Sequence, residues 1–380
     1  MKRLLICVDW FDPAIRAGGP ITSCINLAQI LTASAEVLIL TGCKDLGEKE
    51  NLPYVRCGTW NRWRDRADVW YATKHQHCFG AFYRACLSRR VDAVYLNSMF
   101  SVNGAILPLL CAPFLGGKRI VLAPRGMLKS SAIAIRNRRK TNWIGFLKGT
   151  GIADRIHFHA TSDKEAEEIR FHFGKHASIT IIPNVPREPL DGLPNLFKHP
   201  GELRLSFVGR VHPIKNLHIV LELISNVRGS CHLDVIGPVE DDSYSERCDK
   251  LIGAMPPNIQ VTRHGTLPVD ESLTLVQKTH AMFLPTQGEN FGHSIFEAMG
   301  VGVPVLISDQ TFWRDLESRK AGWDKPLTKS DNFRDILSSL MAMNQTEHTV
   351  WREGALSLAR GFFQETDFKG LYLKLFFPDG

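Results

Sequence analysis

The sequence predicts an α/β protein built from two doubly wound parallel-sheet domains. Three observations carry that reading. Short apolar runs alternate with amphipathic helical stretches, a proline-rich break interrupts the alternation near the middle, and the same pattern restarts beyond the break. The 380 residues also exceed the roughly 250–300 at which a single core stops growing.

In the first half, strands are expected at Leu4–Val8, Ala35–Leu40, Ala93–Leu96, Ile120–Ala123, Ile156–Ala160 and Ile179–Ile182. Helical spacing of apolar positions separates several of them, as in Thr22–Leu31 and Lys164–Phe173. Pro183, Pro186, Pro189, Pro194 and Pro200, with Gly192, then mark a linker without periodicity. Beyond it, strands are expected at Leu203–Val208, Leu233–Ile236, Ile259–Thr262, Met282–Leu284 and Pro304–Ile307, with helices at Asn216–Ile224 and Trp351–Phe363. This gives a first domain over 1–185, a linker over 186–202, a second domain over 203–350 and a helical tail over 351–380. Two such domains leave a cleft between them, a favoured ligand site.

Composition narrows the class. A hydrophobic fraction of 44% and a charged fraction of 22% are those of a soluble globular protein. The nine cysteines are scattered, odd in number and contain no C-x-x-C pair, so a reduced chain is expected rather than a disulfide scaffold or zinc site. Only five apolar residues separate Lys2-Arg3 from Asp9, too few for a signal peptide. The stretch 104–117 carries Pro108 and Pro113 and falls short of the ~20 residues a membrane span needs. The net charge of +7 fits an anionic partner, but no nucleic-acid-binding pattern accompanies it.

The chemistry concentrates where strands give way to helices. Ala281-Met282-Phe283-Leu284 reads as a buried strand, followed by a Gly-punctuated loop holding Glu289, Asn290, Phe291 and Gly292, and then a helix bearing Glu297. In open α/β sheets, ligands bind at the carboxyl ends of strands, where helix N-termini present free N–H groups. Carboxylates there can accept hydrogen bonds from hydroxyls while backbone N–H groups hold phosphate, which suggests a nucleotide sugar. The competing structural reading of Ser294-x-x-Glu297 is a helix capping box. At the tip of the first strand of the second half, Gly209, Arg210 and Lys215 place two cations in a glycine-containing loop before a helix, suited to a diphosphate. Gly18 and Gly19, directly before a helix, form a weaker candidate of the same kind.

The string from Glu289 to Glu297, continued by Ala298-Met299 and Gly302-Val303-Pro304-Val305, resembles the E-x7-E signature of family 4 glycosyltransferases, which have the GT-B fold, and within them bacterial surface-polysaccharide enzymes. The resemblance implies retaining transfer from a nucleotide diphosphate sugar, UDP-linked by default with GDP-linked as the alternative. It implies that Glu289 holds sugar hydroxyls, Glu297 ribose hydroxyls, Asn290, Phe291 and Gly292 backbone contacts, and Arg210 and Lys215 the donor phosphates. It also implies C-terminal helices that return to the first domain. No Asp-x-Asp triplet is present, so no metal or cofactor is expected and the fixed cations carry the charge stabilisation. The pattern departs at Arg125, in Pro124-Arg125-Gly126-Met127-Leu128, where many members place a histidine that contacts the donor sugar. An always-protonated arginine can clamp phosphate or carboxylate instead. His159 is a second candidate with a structural role as the competing reading.

On the acceptor side, Arg136, Arg138, Arg139 and Lys140 precede Trp143, a basic amphipathic pattern that fits an anionic bilayer surface or a lipid-linked pyrophosphate; a solvated helix face is the alternative. Asn61-Arg62-Trp63-Arg64 is a smaller cluster of that kind. The sequence thus points to a glycosyltransferase at the inner face of the membrane, building capsule, O-antigen or exopolysaccharide on a glycan acceptor. Two readings compete: a non-catalytic nucleotide-sugar-binding regulator or scaffold, and a phosphorylase on the same fold, which would need pyridoxal phosphate.

Overall fold

The structure, a computed structural model, describes residues 1–73, 89–111, 117–129, 133 and 137–378. They form two compact units, 1–185 with 367–380, and 186–366.

The first unit is built on β1 (Arg3–Cys7), β2 (Glu36–Gly42), β3 (Trp60–Trp63), β4 (Ala67–Ala72), β5 (Ala93–Asn97), β6 (Arg119–Ala123), β7 (Ile156–Ala160) and β8 (Ser178–Ile181). Their order is β3-β4-β2-β1-β5-β6-β7-β8, parallel except for β3 against β4. The central strands β1 and β5 are buried along almost their whole length, which is why they read as unbroken apolar runs rather than alternating ones. Strand order reverses between β1 and β5, so a crevice opens at their carboxyl ends, beside Gly18 and Gly19.

The hairpin β3–β4 carries the basic cluster Asn61–Arg64. Arg64 and Asp65 turn with positive φ, Arg62 pairs with Asp68 at 3.1 Å, and Arg64 pairs with Asp12 at 3.3 Å. The basic charge is thus engaged within the chain. A correction concerns the cysteines. Cys43, just past β2, and Cys57 form a disulfide with Cα atoms 5.9 Å apart, while Cys7, Cys24, Cys111, Cys231 and Cys248 are buried thiols. Spacing could not show this pair, because a strand end and its following loop meet only in three dimensions.

The second unit holds β9 (Glu202–Val208), β10 (Ser230–Ile236), β11 (Ile259–Gly265), β12 (Ala281–Leu284), β13 (Val305–Ser308) and β14 (Gly322–Lys325), all parallel, in the order β11-β10-β9-β12-β13-β14. Here the order reverses between β9 and β12. The two loops singled out by sequence, 209–215 and 285–292, leave those two strands at the same edge. Proline-rich residues 190–198 have no regular structure but are strapped to this unit. Arg360 donates to Leu190 O (2.8 and 2.5 Å), Arg352 to Pro194 O (2.6 Å), and Lys198 Nζ to Met343 O (3.1 Å).

The long helix Gln345–Glu365 opens on a full capping box between Asn344 and Glu347. After Thr366 the chain rejoins the first unit through the helix Phe368–Phe376, where Leu375 O accepts from Arg119 Nε at 2.6 Å. Among the described residues no helix is long and apolar enough to cross a membrane.

Candidate functional site

The site in the second unit is assembled by the ends of β9 and β12. After β9, Gly209 and Arg210 lead into a short 3₁₀ turn, Pro213–Lys215, capped by the His212 side chain on Ile214 N. Asn216 follows in the left-handed conformation (φ 57°) and its amide donates to Pro285 O at 2.8 Å, fastening this loop to the one after β12. Gln287 N donates to Ile214 O at 2.7 Å, and Thr286 Oγ1 to the same carbonyl at 3.2 Å. These bonds fix the separation of the two loops independently of any charged side chain.

Within that frame the Lys215 ammonium lies on the Glu289 carboxylate. Both side chains are largely sheltered, at 10% and 19% exposure, so the pair sits in a medium where its Coulomb attraction is weakly screened. The Lys215 stem passes Gly209: a Cβ there would come 3.7 Å from Lys215 Cγ and Cδ. Gly209, Lys215 and Glu289, 80 residues apart at their extremes, therefore form one contact group. Arg210 lies on the rim and pairs with Glu240, a residue that the sequence reading missed, through both carboxylate oxygens at 2.6 and 2.5 Å. A signal for it exists: Glu240 follows Gly237-Pro238-Val239 at the end of β10, a strand-end position like those of the other loops.

The helix after the loop runs His293–Gly300 with Gly292 as its N-cap and no side-chain cap. The capping box at Ser294 is therefore not formed. Phe291 is a core anchor: its ring packs against Trp313, Phe296 and Phe312, and its carbonyl accepts from Trp313 Nε1 at 2.7 Å. Asn290 stays partly exposed beside it. Aromatic packing of this kind, about 0.5–1.5 kcal/mol per pair, holds the loop at the head of the helix.

Glu297 lines a pocket of about 220 Å³ with Arg187, Asp270, Thr274, Gln277 and Phe296 among its walls. Its Oε1 is sealed from solvent and has no hydrogen-bond partner. Burial pushes its pKa up to about 7, opposed by Arg187 and reinforced by Asp270. Arg187 itself bonds Asp270 Oδ1 at 2.5 Å. A covered acceptor without a donor is costly to keep, at about 1–3 kcal/mol, unless a hydroxyl or similar group completes it.

In the first unit, Gly18 precedes the helix Gly19–Leu31 with φ 61° and ψ −121°, a conformation open to glycine alone. A Cβ there would meet nothing within 4 Å, so the space above this helix start is open. Arg125, at φ 57°, turns its guanidinium inward. It donates to Asn97 Oδ1 (2.8 Å), Tyr95 OH (3.1 Å) and Asn184 Oδ1, all neutral oxygens. Tyr95 in turn donates to His159 Nδ1 at 2.7 Å, because His159 Nε2 must carry the proton it gives to Ile182 O at 2.8 Å. Burial, with Arg125 adding to it, pulls the His159 pKa down to about 3. His159 is therefore a neutral structural link, as its competing reading held, and Arg125 organises the strand ends around it.

The helix Asn137–Gly149 buries Ile144 and Leu147 and turns Arg138, Arg139 and Lys148 outward. Trp143 stacks on Phe146 at 5.5 Å, Phe146 is 42% exposed, and Lys140 lies over the Phe100 ring at 5.2 Å. Arg136 lies outside the described residues. Among the described residues no group of three or more His, Cys, Asp or Glu side chains could hold a metal ion.

Comparison with known proteins bears on the domain and the fold. Residues 194–354 match the family model for glycosyl transferases group 1. The second unit carries a glycosyltransferase group 1 domain. The curated capsular polysaccharide biosynthesis glycosyltransferase CapM of Staphylococcus aureus is 26% identical over 110 residues, 28% of each chain, so this chain aligns with little more than a quarter of that relative. Among solved structures, the glycosyltransferase domain and its partner unit together resemble sucrose-phosphate synthase of Thermosynechococcus elongatus (TM-score 0.72, 16% identity, 99% of each chain). They also resemble Anabaena HepE in complex with UDP and glucose (0.68, 15%, 96% of each) and WaaG, a glycosyltransferase involved in lipopolysaccharide biosynthesis (0.64, 16%, 98% of each). These likenesses show the fold, which is GT-B.

Proposed function

We propose that the chain is a retaining, metal-independent glycosyltransferase of family 4 that moves a hexosyl or N-acetylhexosaminyl group from a nucleotide diphosphate sugar to a glycan acceptor. The observation that carries this is the joining of Lys215 to Glu289 on the Gly209 loop, at the carboxyl edge where β9 and β12 part. A cation and a carboxylate held side by side suit a ligand with phosphate at one end and hydroxyls at the other.

In this reading Glu289 accepts from sugar hydroxyls and releases Lys215 to the diphosphate, with Arg210 beside it. Glu297, with its unsatisfied Oε1, accepts from ribose hydroxyls. The bond from the sugar's anomeric carbon to the diphosphate oxygen breaks as the acceptor oxygen bonds that carbon from the same face. The acceptor's proton leaves with the diphosphate. Fixed cations receive the charge that develops on the leaving group, without a nucleophilic side chain.

The donor is UDP-linked by default, as with the UDP found in HepE, and GDP-linked as the alternative. The likeness to CapM and WaaG favours surface polysaccharide as the product, with a lipid-linked acceptor at the inner membrane face. The basic, aromatic helix Asn137–Gly149 supports that placement. The test is the release of nucleoside diphosphate from a sugar nucleotide by the wild type and by Glu289→Gln. The account expects slow hydrolysis by the wild type and a loss of 100-fold or so in kcat/KM for the variant, the scale of one removed transition-state contact. Full activity in Glu289→Gln would overturn its role; binding without any turnover would favour a regulator or scaffold.

A further inference from the structure

Glu240 has no place in the reading above, yet it occupies one of that reading's cations. The loops after β9 and β10 are zipped together beyond the sheet: Gly209 N donates to Ile236 O (2.9 Å), Val211 N to Pro238 O (2.8 Å) and Glu240 N to Val211 O (3.3 Å). Gly237 makes the closeness feasible, since a Cβ at that position would stand 2.1 Å from Gly209 O. The Glu240 backbone is therefore tied to the residue after Arg210. Its carboxylate meets Arg210 Nη1 with both oxygens. Next to it, Asp241 is spent as the cap of the helix Asp242–Gly253, accepting from Tyr244 N at 3.0 Å and Ser243 Oγ at 2.7 Å. Of the two carboxylates, only Glu240 addresses the cation.

We infer that Glu240 is an internal competitor for the donor's diphosphate: its carboxylate neutralises Arg210 in the unliganded protein, yields when phosphate arrives, and returns to help expel the nucleoside diphosphate product. The inference rests on the donor-site reading of Arg210. It adds a residue that sets donor affinity and product release. The pair is well suited to exchange. With side chains 43% and 39% exposed it is a surface ion pair, weak enough for phosphate to displace, whereas Lys215 and Glu289 are more deeply sheltered. The zipped backbone keeps the carboxylate within reach after displacement, so the competition is intramolecular and does not depend on a free anion.

The test is a double-mutant cycle read by calorimetric binding of inorganic pyrophosphate and of UDP at low salt. Glu240→Gln should tighten both ligands by about two- to fivefold, the worth of an exposed ion pair. In an Arg210→Gln background the same substitution should change nothing, because the competitor then has nothing to release. Turnover should show the same sign: a lower KM for the sugar nucleotide with stronger inhibition by its nucleoside diphosphate. Unchanged or weaker binding in Glu240→Gln, or a gain that persists without Arg210, would overturn the inference. If sugar nucleotides bind but Glu240→Gln has no effect, the inference alone falls. If pyrophosphate shows the cycle while no sugar nucleotide binds, the donor reading falls and the inferred role of Glu240 in donor affinity and product release falls with it. A wild type that binds neither removes both.

Discussion

Replacing Glu297 by glutamine separates what this carboxylate costs the fold from what it gives a ligand. Its pKa stands at about 7 in the folded protein against 4.5 for an ordinary glutamate, with burial as the main cause. The sign follows from proton binding. Between pH 4.5 and 7 the folded state holds the proton more tightly than the unfolded chain, so stability falls as pH rises through that window and stays low above it. At about 1.36 kcal/mol per pH unit the full cost is about 3 kcal/mol at pH 8. Glutamine carries no charge to desolvate. Unliganded Glu297→Gln should therefore melt within a few degrees of the wild type at pH 5, where about 0.8 kcal/mol of the cost is already present, and several degrees further above it at pH 8, at about 2–4 °C per kcal/mol for a unit the size of 186–366. A bound nucleotide should act oppositely, because hydroxyls donated to the carboxylate favour its ionised form. From pH 7 to pH 6 the ionised fraction drops from one half to about one eleventh, so wild-type affinity for nucleotide should weaken roughly fivefold. The variant should bind weakly with no such slope. Differential scanning fluorimetry at both pH values, with and without UDP, reads all of this. An identical melting difference at pH 5 and pH 8 would show that burial does not raise the Glu297 pKa.

Other expectations follow from the same contacts. Donor cleavage should be unchanged by EDTA, since Arg210 and Lys215 carry the charge stabilisation in this reading; activity abolished by chelation and restored by a divalent cation would contradict it. Vesicles with anionic lipid should sediment the protein at low salt, and Arg138→Gln with Arg139→Gln should cut that partition by tens of fold, at about 1 kcal/mol for each basic residue; equal binding to neutral vesicles would count against the helix as a contact. Burial, the largest cause for each, holds His159 and His280 down at about 3 and His348 at about 4. These histidines are neutral when folded but charge near 6.5 when unfolded, so stability is fully present above pH 6.5 and is lost as pH falls toward 4. A urea midpoint unchanged between pH 7 and 4.5 would show the assignment to be wrong.

Much of the fold was legible because buried parallel strands have an unambiguous signature. β1, β5, β6 and β12 are mostly apolar runs, β7 and β9 alternate apolar with polar residues, and each lies within a residue or two of its expected place. The hairpin β3–β4 was hidden because its Trp60-Asn61-Arg62-Trp63 edge strand carries polar side chains and no run. The short strand β14 was hidden for a related reason: Gly322-Trp323-Asp324-Lys325 lacks an apolar block, and pairing with β13 makes it a strand. Helices such as Asp242–Gly253 are amphipathic but charge-rich, and their buried faces show only against the sheet.

The site divides in the same way. Glu289, Lys215 and Gly209 could be read from loop chemistry at strand ends, and folding brings them together. What the sequence could not carry is competition between partners. Arg210 could be read as a cation, but not that Glu240 would reach it. Arg125 could be read as an anion clamp, whereas its guanidinium is folded onto Asn97, Tyr95 and Asn184. By spacing, Cys43 and Cys57 are two more scattered cysteines, and only the path of the loop after β2 pairs them.

In the proposed function the contact group of Gly209, Lys215 and Glu289 receives the diphosphate and sugar of a nucleotide sugar, while Glu297 lines a pocket of its own that those three do not touch. Calorimetric titration of the whole chain with UDP- and GDP-linked sugars, for the wild type and for Lys215→Gln, tests that central claim most directly. The account predicts saturable one-to-one binding of at least one donor, weakened tenfold or more when the lysine is lost. Binding that survives the substitution undiminished, or no binding across both nucleotide classes, would contradict it.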